Sequence, residues 1–298
     1  MLNKIFITGS SGFVGSNLIS YLNRSFSIVK YDRSKPVLII GDFVIHLAGK
    51  AHDLKNVSNA NEYYQVNTEI TKKVFDAFLN SNAKVFITLS SVKAVADELD
   101  IELTEDFIPN PITHYGKSKL LAEQYILSKE IPLGKRVYIL RPCMIHGPGN
   151  KGNLNLLYKI VSRGIPWPLG AYENKRSFCS IDNLCFIIQE LIENENIPSG
   201  VYNVADDEPQ STNELISLIA VSQGRKTRIW NLPKSIINSI AKFGNLIKLP
   251  LNTERLNKLT ESYIVSNAKI KQAINKPLPV SSTDGLIKTL KSFNSNAK

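Results

Sequence analysis

A doubly wound parallel α/β sheet carrying a smaller second lobe is the fold this 298-residue sequence predicts. Three observations predict it. Short β-branched and aromatic runs alternate with segments of helical period through the first half of the chain. A glycine turn joins the first strand to the first helix, and polar residues close the later strands, at the edge where open α/β sheets bind ligands.

The first strand is Lys4-Ile5-Phe6-Ile7-Thr8, and it breaks directly into Gly9-Ser10-Ser11-Gly12-Phe13-Val14-Gly15. From Phe13 to Leu22 the apolar residues take helical spacing. A strand, a glycine turn and a helix start in one unit make a cradle for the phosphates of a dinucleotide. Gly9 suits the tight turn, Gly12 a close backbone approach to pyrophosphate, and Gly15 close packing of helix on strand. Asp32 ends a second apolar run, Ser27 to Tyr31, seventeen residues past Gly15. A carboxylate there can accept the ribose hydroxyls of an adenosine. Its neighbour Arg33 leaves NADP open, while the carboxylate favours NAD.

The next clear strand is Phe43 to Ala48, so only fourteen residues separate Asp32 from His46. A parallel crossover through a helix needs a dozen or more connecting residues. Roughly ten extended residues span about 30 Å, enough to return to the far end of the sheet and little more. The sequence therefore predicts that Pro36 to Ile40 runs back extended, with the usual third strand lost or reduced. Asp42 is compatible with an adenine contact or with the start of the strand.

Further along, a helix is predicted over Glu62 to Asn80 and a strand over Lys84 to Leu89, ending in Ser90-Ser91. An acidic, proline-containing loop (96–113) precedes a helix opening near Tyr115. Arg136 to Leu140 forms another strand, closed by Arg141-Pro142. Beyond Gly149 come a short helix (Leu154 to Arg163) and a turn-rich stretch to Gly170. A helix at Asp182 to Glu193 and a strand at Val201 to Ala205 return to the main sheet. Ser211-Thr212-Asn213-Glu214 reads as a capping box opening another helix. The second lobe is thus built from discontinuous pieces.

Tyr115 and Lys119 lie four apart on a predicted helix, hence on one face. A tyrosine acting as a base near neutral pH needs a lowered pKa, which a neighbouring ammonium and an oxidised nicotinamide both favour. Ser91, at a strand's carboxyl end, can hold the substrate oxygen that Tyr115 deprotonates. The formal charge of +10 is spread over scattered lysines, unlike the concentrated basic patches of nucleic-acid binders. Such a surface also attracts an acidic, diphosphate-bearing substrate. No run of eighteen apolar residues and no cleavable signal is apparent. Cys143, Cys179 and Cys185 form no CxxC pair and read as core thiols of a reducing cytoplasm.

Gly9-x-x-Gly12-x-x-Gly15, His46-Leu47-Ala48-Gly49, Ser90-Ser91, Tyr115-x-x-x-Lys119 and Arg141-Pro142 together resemble the extended short-chain dehydrogenase/reductase family. Within it the chain is most similar to nucleotide-sugar 4-epimerases and 4-keto-reductases of bacterial surface-polysaccharide synthesis, including reductases that make UDP-N-acetylquinovosamine. The resemblance implies a Rossmann-like NAD-binding domain at 1–150, with returns at about 178–206. Residues 151–177 and 207–298 would mainly form a substrate-binding lobe. It implies Ser91, Tyr115 and Lys119 as catalytic residues. Cofactor contacts would come from the glycine turn with Phe13 and Val14, from Asp32 and Arg33, from Leu47, Ala48 and Gly49, and from Asn67, Lys119 and Pro142. Substrate contacts would come from Ser91 and Lys93, from Asn153 and Leu154, from Leu169 and Gly170, and from the diphosphate arginines Arg176 and Arg255. A homodimer through the helix bearing Tyr115 and the helix at 68–80 is implied as well.

Dehydratases of the family carry an acidic pair after the catalytic Ser/Thr. Here Val92-Lys93 follow Ser91, which disfavours dehydration. A non-catalytic NAD-binding regulator or scaffold on the same fold is the alternative, and retention of Ser91, Tyr115 and Lys119 argues against it. His46, His52, His114 and His146 share no metal-ligand spacing and read as structural, with His114 also placed to touch a sugar. Lys93 is compatible with a solvated lysine and Trp167 with a core residue or a base-pocket wall. Ser235 to Leu249 is amphipathic and basic, which suits a helix packed on the second lobe or one resting on a membrane surface.

Overall fold

The computed structural model describes residues 2–50, 59–150, 153–247 and 252–295, without the side chains of Asn153, Ile247, Asn294 and Ser295. His52 lies outside the described residues. Among the described residues eight strands are formed: β1 (Lys4–Thr8), β2 (Ser27–Lys30), β3 (Phe43–His46), β4 (Val85–Leu89), β5 (Arg136–Pro142), β6 (Met144–His146), β7 (Phe178–Ser180) and β8 (Gly200–Val204). Six of them make one parallel sheet in the order β2-β1-β3-β4-β5-β8, and β6 pairs with β7 in a small separate sheet.

Side chains alternate across the pleat, so each face of the sheet receives its own apolar layer. Ile5, Ile7, Ile45, Ile87, Tyr138 and Leu140 point to one face. There they meet α1 (Phe13–Leu22), with α6 (Ile181–Glu193) and α10 (Ala268–Ile274). Phe6, Val44, Phe86, Val137 and Ile139 point to the other. That face is covered by α3 (Ile70–Leu79) and α4 (His114–Leu127), through Val74, Phe75, Phe78 and Ile126. Leading into α3, α2 (Ala60–Tyr63) passes directly into a π-helical turn at Tyr64–Glu69.

Between β2 and β3 there is neither helix nor strand, as the spacing predicts. After a turn at 33–35 the chain runs extended. Val37 and Ile39 pack on the sheet's second face, while Leu38 and Ile40 are exposed. This alternation lets a bare strand-like segment cover the position of the missing helix. Asp42 takes the strand-start role: it exchanges bonds with the Lys4 backbone, at 2.8 Å each. That places it at the end of the sheet opposite the ligand edge.

A second hydrophobic cluster gathers α5 (Asn153–Ser162), α7 (Thr212–Ser222), α8 (Lys234–Ile247), α9 (Thr253–Thr260) and α11 (Ser282–Ser295). Trp167 and Leu169 are buried within it. The capping box at Ser211 and Glu214 is formed and opens α7. The chain then crosses back, since Tyr263, Val265, Ile270 and Ile274 belong to the core under the large sheet.

Phe75 is fully buried, with ring centroids 6.0 Å from Phe78 and 5.0 Å from Phe86. Phe75→Ala is expected to cost about 3–5 kcal/mol, read as a lowered midpoint in urea unfolding. A loss below about 1 kcal/mol would contradict this packing.

Candidate active site

The glycine turn is built for close approach. Gly9 has φ +69°, and a Cβ there would lie 2.6 Å from the Ala48 nitrogen. A Cβ on Gly15 would strike the Gly9 carbonyl oxygen. Gly12 is the N-cap of α1 and offers no side-chain cap. The first N–H groups of α1 therefore have no side-chain acceptor from the cap, and the positive end of the helix dipole faces the turn. Phe13 and Val14, half-buried, form the first turn and anchor it on the core. An uncapped helix end behind a glycine cradle fits a dinucleotide's phosphates.

Beside it, three side chains form a buried relay between two backbone groups at the carboxyl end of β3. The Ala48 N–H donates to Thr8 Oγ1 at 3.1 Å, and Thr8 Oγ1 lies 2.7 Å from His46 Nδ1. His46 Nε2 lies 2.9 Å from Thr71 Oγ1, which donates to the Asn67 carbonyl at 2.7 Å. Thr71 has one proton and spends it on Asn67, so Nε2–H must donate and the Thr8 hydroxyl donates to Nδ1. Burial, aided by Lys119, pushes the His46 imidazole down to about 3, so it stays neutral. The relay holds Asn67 in the π-helical turn. Its Oδ1 accepts from the Lys50 N–H at 2.7 Å, and its Nδ2 donates to Ser118 Oγ at 3.0 Å. A Cβ on Gly49 would sit 3.1 Å from Lys119 Nζ and 3.2 Å from Asn67 Oδ1. Asn67, Gly49 and Lys119 thus converge, just past Leu47 and Ala48 in the chain.

The helix α4 carries the reactive pair. Thr113 caps it, its Oγ1 accepting from the Gly116 N–H at 3.2 Å. Asp97 in turn accepts from the N–H groups of Ile112 (2.7 Å) and Thr113 (3.1 Å). The Lys119 ammonium donates to the Leu89 carbonyl at 2.8 Å. Burial pulls it down to about 8, and Glu123 works in the opposite direction. Burial raises the pKa of the Tyr115 phenol, the nearby Ser91 hydroxyl works to lower it, and Tyr63 adds a smaller rise. Tyr63 stacks edge-on, its centroid 6.1 Å from that of Tyr115. Ser91, Tyr115 and Lys119 are therefore together at the carboxyl edge of β4.

Three supports of this arrangement carry no local sequence signal. Glu123, one turn beyond Lys119, accepts from Arg141 Nε at 3.0 Å and Nη2 at 2.5 Å, and from the Ser90 hydroxyl. Both charged side chains are almost wholly buried. Gly116 has no room for a side chain, because a Cβ would strike the Lys93 carbonyl and lie 2.8 Å from Pro111 Cβ. Asp97 looks like surface acid in an acidic loop, yet it ties down the start of α4.

Lys93 is not a solvated lysine. Its ammonium donates to the Asp97 carbonyl at 2.5 Å and sits 4.1 Å above the Tyr263 ring. Burial lowers it to about 8, with Asp97 opposing and Arg176 assisting. Arg176 is held by backbone pairing to Gln210 and Tyr263, and its buried Nε has no hydrogen-bond partner. Two cations and an unpaired guanidinium donor together have the charge and the hydrogen-bonding capacity that suit a phosphate-bearing ligand. Arg255 lies on an exposed face of α9. Leu154 and Leu169 bury their side chains in the second core, leaving only backbone for a ligand. Gly170 packs against Ile229 and Asn231 and donates its N–H to the Trp230 carbonyl at 3.0 Å. Pro142 is buried at the end of β5. Asp32 and Arg33 are exposed beyond β2, and Asp32 Oδ1 accepts from Ser34 N–H (3.0 Å) and Oγ (2.8 Å). His114 pairs with the Tyr64 hydroxyl at 3.0 Å. His146 is buried between Thr289 and Asp206. The three cysteines are buried and free, and burial raises each thiol.

Comparison with known proteins bears directly on this site. The sequence pattern of the NAD dependent epimerase/dehydratase family matches residues 40–205. UDP-glucose 4-epimerase of Vibrio cholerae is 30% identical over 98% of this chain and 96% of its own length. The chain belongs to the NAD-dependent epimerase/dehydratase family. It is an enzyme of the short-chain dehydrogenase/reductase type, with a nicotinamide dinucleotide as cofactor. An Escherichia coli O157:H7 relative, N-acetyl-alpha-D-glucosaminyl-diphospho-ditrans,octacis-undecaprenol 4-epimerase, is 29% identical over 78% of this chain and 76% of its own. The fold is that of UDP-glucuronic acid 4-epimerase from Bacillus cereus, solved with NAD. The TM-score is 0.76 at 20% identity, covering 99% of this chain and 100% of that one.

His46 also sets a pH dependence. Its folded pKa, about 3, lies below the ordinary 6.5. Below pH 6.5 the unfolded chain therefore binds a proton that the folded one refuses. Stability should fall with pH from about 6.5 downward, by up to ~1.4 kcal/mol per unit from this group. His46→Gln should flatten that slope in urea unfolding at pH 7 and 5; an unchanged slope would exclude a neutral buried imidazole.

Proposed function

We propose that this enzyme exchanges hydride and proton at C4 of a UDP-linked hexose, as a 4-epimerase serving surface-polysaccharide sugar synthesis. The observation that carries the reading is the buried Lys119 ammonium on the Leu89 carbonyl, at the carboxyl edge of β4 where Ser91 caps the next turn and Tyr115 sits one helical turn before Lys119. When bound, the nicotinamide cofactor takes up and returns the hydride. Tyr115 moves the proton of the C4 hydroxyl, and Ser91 holds that oxygen in line. Lys119 binds the nicotinamide ribose and favours the phenolate through its charge. The Leu89 carbonyl keeps Lys119 in place, Gly49 leaves room for its ammonium, and Asn67 and Pro142 line the nicotinamide pocket.

Residues 1–150 with 178–206 serve the cofactor in this reading, and 151–177 with most of 207–298 serve the sugar nucleotide. Asp32 faces the adenosine ribose, which favours NAD over NADP. Leu154, Leu169 and Gly170 present backbone groups to the uracil and ribose, and Asn153 belongs to the same set of substrate contacts. Arg176, with Lys93 near it, takes the diphosphate, and Arg255 is the second arginine. A homodimer through α3 and α4 is supported by Leu121 and Leu127, which are 44% and 59% exposed on α4.

The direct test incubates the protein with UDP-glucose, UDP-N-acetylglucosamine and the latter's 4-keto-6-deoxy derivative, with and without NADH, followed by NMR. Interconversion of 4-epimers without added cofactor supports the epimerase. NADH consumption confined to the keto sugar makes the enzyme a 4-keto-reductase, and no turnover of any of them overturns both. Tyr115→Phe should lower kcat by about 10²–10⁴-fold while cofactor binding persists. An undiminished kcat would remove Tyr115 from the chemistry. Arg176→Lys keeps the charge and loses the fork; KM for the UDP-sugar should rise about tenfold with kcat little changed.

A further inference from the structure

The helix α8 divides its apolar residues between two faces. Ile237 and Ala241 are buried against the second core. Ile236, Ile240 and Phe243, spaced four and three apart, share an adjoining face and are 50%, 42% and 57% exposed. Leu246 extends this apolar surface at 79% exposure. Folding alone does not account for this surface, because α8 already has its core-facing stripe.

The charge around it is one-sided. From residue 215 to residue 253 the sequence contains no Asp or Glu, but it contains Arg225, Lys226, Arg228, Lys234, Lys242 and Lys248. Lys234 and Lys242 are exposed on α8 itself. An exposed apolar stripe on a helix with lysines and no acids matches an interface of acyl chains beneath anionic headgroups. It does not match a second copy of this basic chain, which would bring like charges together. Among the described residues no helix is long and apolar enough to cross a membrane. We propose that α8 is an interfacial helix that docks this enzyme on an anionic phospholipid surface, with Ile236, Ile240, Phe243 and Leu246 entering the headgroup boundary.

The location gives this docking a use. Helix α8 packs on α9, and the chain leaving α9 pairs at Tyr263 with the backbone of Arg176. The docking face thus belongs to the same lobe as the diphosphate arginine. A sugar held on a membrane through a diphosphate would reach Arg176 from that side. Only this last link rests on the proposed function; the docking itself does not.

The test is co-sedimentation of the full chain with vesicles of phosphatidylcholine alone and of phosphatidylcholine with phosphatidylglycerol, at low and high salt. Binding is expected only with phosphatidylglycerol and should weaken with salt. It should fall at least about tenfold in Lys234→Glu/Lys242→Glu and in Phe243→Ser/Leu246→Ser. Unfolding midpoints and turnover of soluble UDP-sugar should match those of the unaltered enzyme, which separates failure of docking from failure of the catalytic reading. No binding to phosphatidylglycerol vesicles, or equal binding by both double variants, overturns the proposal. So does concentration-dependent self-association that Phe243→Ser/Leu246→Ser abolishes, since a second copy would then cover the face.

Discussion

The carboxylate of Glu123 has protein on every side, and its partners fix where the reactive helix lies. Removing a carboxylate and a guanidinium from water is costly, and only good geometry with added hydrogen bonds offsets it. Here the fork of Arg141 from the end of β5 and the hydroxyl of Ser90 from the end of β4 both reach it. One helix is thereby clamped to two neighbouring strands. Lys119 and Tyr115, one and two turns back along the same face, inherit that register.

The same helix is pressed from its other end. Gly116 lets the backbone of α4 approach the 3₁₀ turn at Val92–Ala94 that Ser91 caps. Asp97 holds the lead-in to α4 through the N–H groups of Ile112 and the capping Thr113. Ser91 and Tyr115 come from segments some two dozen residues apart, and these contacts bring them together without help from a ligand. On the cofactor side, the neutral His46 passes order from β1 and β3 into the π-helical turn. A π turn widens the helix by one residue; here Asn67 and Thr68 are both buried against α4.

Much of this was legible in the sequence because it is local. The glycine turn, the Tyr115/Lys119 spacing, the capping box at Ser211 and the lack of room after Asp32 each concern residues a few positions apart. Their physical meaning survives without knowledge of the fold. Glu123 with Arg141, Asp97 with Ile112 and Thr113, and His46 with Thr8 and Thr71 are pairings across 15 to 38 residues. Nothing in spacing or composition distinguishes them from surface charge or core polarity. Lys93 illustrates the limit from the other direction: a lysine after a strand end looks solvated until Tyr263, from the far end of the chain, is folded over it.

The abbreviated link after Asp32 leaves its mark on the sheet as well. Among the described residues no further strand lies beyond it, and β2 pairs there with β1 alone, so half of its backbone groups face outward. Such a margin is a template on which another polypeptide can add itself, and proteins blunt it by keeping it short and charged. Here it is four residues long and ends in an exposed lysine, Lys30. By omitting a strand the chain takes on a risk of edge-to-edge aggregation, and brevity and charge at that margin are what hold it in check.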